Sequence, residues 1–110
     1  MTVYELQKEL KLTYLCNEEE AQTKEIDGCY CGDLLSWVMG RAEASNVWFT
    51  IMTNMNVAAV AQLSDVSVII ICDGARPDES VISTAYEKGV NILLSQDSAY
   101  KTAVTISCDI

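Results

Sequence analysis

Cys29-Tyr30-Cys31 is the one close pair of thiols in a chain that contains no histidine. Without imidazole, neither a Ser-His-Asp nor a Cys-His nucleophile can be assembled, and no His can ligate a metal. Any chemistry must come from carboxylates, thiols, tyrosines or lysines. Two thiolates one residue apart need two further donors to hold a metal, and Cys16 and Cys108 are the remaining candidates. Cys72 closes an apolar run and reads as a small core hydrophobe. Five cysteines, an odd number in a chain of cytosolic character, argue against a disulfide framework. The thiols are read as packing groups, with no metal and no cofactor expected.

Asp73 and Asp97 are the carboxylates most open to paired acid–base work, which requires environments that push two pKa values apart. Each follows an apolar run in a polar turn, so solvated turn residues are expected, and an enzyme is not. No G-x-G-x-x-G fingerprint is present. The segment Gly28-Cys29-Tyr30-Cys31-Gly32 lacks the Lys-Ser/Thr that ends a phosphate-binding loop.

Ligand-binding groups are therefore sought in three polar connections, 50–56, 72–77 and 95–98. Each precedes a predicted helix whose free N–H groups could hold an anion or a carboxylate. The first supplies Thr53, Asn54 and Asn56, the second Asp73 and Gly74, and the third Ser95, Asp97 and Ser98. Asp33 and Ser36, at the start of another predicted helix, join them if the sheet order allows. Asp33, Asn56 and Asp97 also have the chemistry of helix caps.

The elements that must position these loops follow from periodicity. Thr2 and Glu5 fit a capping box ahead of a helix over 3–10. A brief strand is predicted at 13–16, then a solvated acidic loop at 17–24 and a bent strand at 26–31. Asp33 is predicted to cap a helix over 34–42 whose buried face holds Leu34, Leu35, Val38 and Met39. The β-rich 47–51 reads as a strand, and Asn56 as the cap of a helix over 57–63. The nearly unbroken Val/Ile run at 66–72 is the pattern of a strand covered on both faces. Pro77 suits the first turn of a helix reaching Lys88, closed by Gly89. A strand at 90–94 and a helix over 99–107 complete the chain. Strands alternating with helices imply an α/β fold: three αβα layers around a mostly parallel sheet, in one domain spanning 1–110. In such sheets ligands sit at the carboxyl ends of the strands.

Composition narrows the function classes. The chain has 110 residues, half of them apolar, which is too many for a disordered acidic segment. A net charge of −9 opposes nucleic acid and anionic membrane surfaces alike. The first twelve residues mix acids and lysines and lack the apolar core of a signal peptide, so a cytoplasmic location is expected. Residues 34–66 carry a net charge of only −1 and contain Trp37, Met39, Trp48, Met52 and Met55. Met and aromatic residues are enriched in interface cores, so Trp37, Met39, Met52 and Met55 are candidates for a protein or homodimer interface.

Residues 31–42, CGDLLSWVMGRA, and 48–61, WFTIMTNMNVAAVA, together resemble the DRTGG domain family. The similarity extends through 68–74 and 92–100, and is nearest to the small stand-alone members associated with iron-hydrogenase systems of anaerobic bacteria. The resemblance implies a regulatory domain similar in fold to the N-terminal domain of HPr kinase/phosphorylase. It carries over no catalytic residue. Asp27-Gly28-Cys29 stands where the family has Thr-Gly-Gly, and Asn54 where stand-alone members tend to have His. The function expected is a non-enzymatic, ligand-sensing or dimerising module that binds a small, anionic ligand at the polar loops. The competing expectation is a protein-interaction module of a hydrogenase-related or signalling system.

Overall fold

Thr2 opens the first helix as its spacing predicts. In the computed structural model, which describes residues 1–106, the Thr2 hydroxyl accepts from the Glu5 N–H at 3.1 Å. The Glu5 carboxylate in turn accepts from the Thr2 N–H at 2.9 Å. The elements in chain order are α1 (Val3–Leu10), β1 (Thr13–Cys16), α2 (Glu18–Ala21), β2 (Cys29–Cys31), α3 (Leu35–Arg41), β3 (Val47–Thr50), α4 (Val57–Ser64), β4 (Val68–Ile71), α5 (Glu79–Lys88), β5 (Ile92–Leu94) and α6 (Ala99–Ile106). The helix end expected at 107, and Cys108, lie outside the described residues.

The five strands form one sheet in the order β1-β5-β4-β3-β2, parallel except for β1, which runs antiparallel to β5. Side chains alternate across it, as strand geometry requires. Trp48, Ile69, Ile71, Ile92 and Leu94 face α3, α4 and α5. Val47, Phe49, Val68, Ile70 and Leu93 face α1 and α6. This is the three-layer, mostly parallel α/β architecture expected, and the central β4 is buried along its whole length. No described helix is long and apolar enough to cross a membrane.

Four local expectations are corrected. Asp33 does not cap α3: the N-cap is Leu34, which makes no side-chain cap bond. The Asp33 carboxylate is drawn instead to the end of β3. Of the face predicted for that helix, Val38 is buried and Leu35 packs against the core, while Leu34 and Met39 are 60% and 52% exposed. Leu34 precedes the first turn, and Met39 lies about 100° round the axis from Val38. Asn56 likewise makes no side-chain cap bond; the Asn54 Oδ1 accepts from the Asn56 N–H at 2.7 Å, a local turn that outcompetes the cap. At α5 the N-cap is Asp78, so Pro77 stands outside the helix.

The acidic stretch after β1 is less solvated than expected. Glu18, Glu19 and Glu20 are exposed, yet they form one helical turn between a buried Asn17 and a buried Ala21. The Asn17 Nδ2 donates to the carbonyls of Ala85 at 3.1 Å and Val90 at 2.8 Å. The Lys24 ammonium donates to the Gly89 carbonyl at 2.9 Å. These side chains tie the segment after β1 to the last turn of α5 and to the Gly89 and Val90 carbonyls just beyond it. Burial pulls the Lys24 pKa below the usual lysine range.

Candidate functional site

The four parallel strands end at one edge of the sheet, and their sequels build the site. β2 continues into Gly32-Asp33, β3 into 51–56, β4 into Cys72-Asp73-Gly74 and β5 into 95–98. Since β2 lies parallel beside β3, the Asp33 segment does join the other three loops.

Backbone bonds fix this edge. The Gly32 N–H donates to Phe49 O at 3.1 Å, Cys72 N–H to Thr50 O at 2.9 Å, Asp73 N–H to Asp97 O at 2.8 Å and Gly74 N–H to Ser95 O at 3.0 Å. The Trp48 indole N–H adds a bond to Gly32 O at 2.8 Å. Gly74 has φ +71°, and a Cβ there would stand 2.9 Å from the Gln96 side-chain oxygen, so the crossing of the β4 and β5 loops favours glycine. Asp33 supplies the central side-chain contact. Its Oδ1 accepts from the Thr50 hydroxyl at 2.7 Å and from the Ile51 N–H at 2.9 Å. Both bonds use Oδ1, which leaves the accepting capacity of Oδ2 for other donors.

A cleft of about 320 Å³ opens here, lined by Cys31, Gly32, Asp33, Thr50, Asp73 and Ala99 among others. Two carboxylates and a strand-end hydroxyl thus meet the start of α6. Burial, with Cys29 and Asp33 nearby, pushes the Cys31 thiol above its ordinary pKa. Burial raises the Cys72 thiol to about 11, so neither sulfur is a ready nucleophile at neutral pH. Two larger clefts, of about 500 and 510 Å³, flank Tyr86 and Asn17 near β1 and α5.

The sequence-predicted residues divide. Asp33 and Asp73 line the cleft. Ser95 belongs to the scaffold: it is buried, its hydroxyl lies 2.9 Å from that of Thr102, and it accepts from the Asp97 N–H at 3.1 Å. Ser98, rather than Asp97, serves the start of α6, accepting from the Lys101 N–H at 3.2 Å. Asp97 points to solvent, with the Lys101 ammonium 4.0 Å away. Ser36, on the first turn of α3, does not line the cleft, nor do Thr53, Asn54, Asn56 and Gly74, although their loops adjoin it. Thr50, Cys31 and Gly32 were missed; the signal available was their place at strand ends, where alternation aims Thr50 opposite to Phe49. Among the interface candidates, Trp37, Met39 and Met55 are exposed, whereas Met52 packs against the core and Trp48 is fully buried.

The segment that gives the resembling family its name lies elsewhere. Asp27-Gly28-Cys29 leads into β2 at its amino end and therefore sits at the opposite edge of the sheet. Gly28 has φ +70° with Asn46 Nδ2 3.2 Å from where a Cβ would be. That amide donates to Asp27 O at 2.8 Å. The role visible for this turn is structural.

Comparison with known proteins follows the same line. The DRTGG domain family matches residues 5–108. Among solved structures, the CBS and DRTGG domains of the regulatory region of Clostridium perfringens pyrophosphatase, complexed with the activator diadenosine tetraphosphate, superpose with a TM-score of 0.77. Identity is 11%, over 96% of this chain and 45% of that one, so the chain spans less than half the length of this neighbour. At that identity the likeness is one of fold. No curated protein matches the chain.

Proposed function

Because the chain belongs to the DRTGG domain family, we propose that it is a non-enzymatic regulatory module that senses a small ligand at the carboxyl edge of its sheet. The observation that carries this reading is the cleft bounded by Asp33, Thr50, Asp73 and the start of α6, in the position where parallel α/β sheets take ligands. Its chemistry suits a nucleoside-type ligand. Ribose hydroxyls or base amino groups would donate to the Asp33 and Asp73 carboxylates, as acidic residues do in dinucleotide-binding sheets. Phosphates would lie toward the free N–H groups that open α6. The neighbouring pyrophosphatase region, whose activator is a dinucleotide, lends this class support. A thermal-shift screen of nucleotides, dinucleotides and acyl phosphates tests the reading: stabilisation by at least one is expected, and a folded sample stabilised by none refutes it.

A second reading is favoured by a different observation. Leu34 just before α3, Trp37 and Met39 on α3, and Ile51 and Met55 in the β3–α4 loop are between 47% and 63% exposed. Clustered exposed apolar side chains mark interaction surfaces, and the occupant we propose is a second copy of the chain. Light scattering on the wild type and on Met55→Glu tests this. A dimer dissociated by the substitution is expected; monomers in both samples rule it out.

A further inference from the structure

Cys29 and Cys31 are two exposed thiols on β2, an edge strand of the sheet. The strand register sets both side chains on the face of Val47 and Phe49. The Gly28 carbonyl accepts from the Val47 N–H and the Gly32 N–H donates to Phe49, so the even positions of this segment bond to β3. Cys29 and Cys31, at the odd positions, therefore direct their own N–H and C=O groups outward. Such an edge is a template for another strand unless it is blunted by charge, proline or a bulge. The other edge strand, β1, has an irregular register between Tyr14 and Cys16, which blunts it. The Cys-Tyr-Cys strand is short, three residues, and carries no charge, proline or register irregularity.

Among the described residues of one chain this dithiol lacks partners. Cys16 stands on β1 at the opposite edge of the sheet. Cys72 is buried with its Sγ 3.7 Å from Ile70 O. Among the described residues, no three His, Cys, Asp or Glu side chains converge as a metal site.

We propose that two chains pair antiparallel along β2 about a two-fold axis, and that Cys29 and Cys31 of both form a four-thiolate site for a thiophilic divalent metal ion such as zinc. An axis through Tyr30 sets Cys29 opposite the partner's Cys31, and each outward backbone group then meets its complement. Opposed residues in such a hydrogen-bonded pair are about 5.5 Å apart at Cα, and residues two apart on a strand about 6.6 Å. Four sulfurs standing on one face over that rectangle need to lean inward to the roughly 3.8 Å separations of a tetrahedral site with metal–sulfur bonds of about 2.3 Å. Soft thiolate donors select zinc over hard cations. Binding turns four S–H groups into thiolates, releases four protons to the buffer and transfers no electron. The proposal rests on self-association of the chain as read above, with β2 as the contact, and it shares Cys31 with the lining of the ligand cleft.

The test uses the full chain, reduced, freed of metal by a chelator and titrated anaerobically with Co(II) as a spectroscopic probe and with Zn(II). The expected result is the charge-transfer and d–d absorption of tetrahedral tetrathiolate Co(II), saturating at one metal per two chains, with the dimer mass by light scattering. Cys29→Ser and Cys31→Ser each abolish the absorption while keeping the metal-free melting temperature, and Cys108→Ser leaves it intact. Saturation at one metal per monomer, loss in Cys108→Ser, or a dimer that binds no Co(II) through sulfur overturns the proposal. The last of these leaves self-association standing and removes only the metal site.

Discussion

Replacing Asp33 by alanine removes one side chain that holds two loop segments together. Its Oδ1 accepts from the Thr50 hydroxyl at 2.7 Å and the Ile51 N–H at 2.9 Å. The two losses are unequal. Ile51 is exposed, so water can replace the acceptor for its N–H at little cost, about 0.5 kcal/mol. Thr50 is 1% exposed, and a buried hydroxyl stripped of a charged acceptor costs about 1–3 kcal/mol. The expected destabilisation is therefore about 2 kcal/mol, or about 8 °C in melting temperature for a domain of this size. Asp33→Asn keeps a carbonyl acceptor and is expected to lose about half as much. The assay is urea unfolding of the single variants, Thr50→Val and the double variant Asp33→Ala/Thr50→Val, followed by circular dichroism. The double-mutant cycle should return a coupling energy of about 1 kcal/mol or more. A loss under about 0.5 kcal/mol for Asp33→Ala, or no coupling to Thr50, would refute the claim that this carboxylate organises the cleft.

Two further perturbations test other parts of the account. Asn17→Ala strips the two side-chain bonds to Ala85 and Val90 and puts alanine at φ +59°; urea unfolding should show a loss of about 3 kcal/mol, and a loss under about 1 kcal/mol contradicts the capping role given to it. Buried Cys72 titrates near 11 in the folded chain, above an ordinary thiol. The unfolded state therefore loses this proton first, so stability is full below pH about 8.5 and falls by about 2 kcal/mol as pH rises to 11. Cys72→Ala should flatten the decline in urea midpoints over that range, and a decline unchanged by the substitution would assign it to other groups.

Where a pattern depends on near neighbours in the chain, the sequence was a sufficient guide. The Thr2–Glu5 box, the Val/Ile run ending in β4 and the alternation of strands and helices from Val47 onward all depend on residues close together, and all are found. Asp33 shows why the site was only partly legible. Its place before a helix is that of a cap, but the chain crossover brings Thr50 and Ile51 within reach, and a buried hydroxyl is a stronger claimant than a solvated helix start. Asn17 looked like a loop residue because the carbonyls it bonds, one in α5 and one just beyond it, lie 68 and 73 positions away. Met52 and Met55 are alike by type; only packing separates the one against the core from the one in solvent. The Cys29/Cys31 pair could be seen in the sequence, whereas its position on an edge strand needed the sheet order.

The central claim is that a small ligand binds at the carboxyl edge of the sheet, and amide chemical shifts of the isotope-labelled protein test it residue by residue. In titrations with nucleotides, diadenosine tetraphosphate among them, the account predicts saturable shifts confined to 31–33, 50–52, 72–75 and 95–100, weakened in Asp33→Ala. Saturable shifts centred instead on Asn17 and Tyr86, or none with any nucleotide, would contradict it.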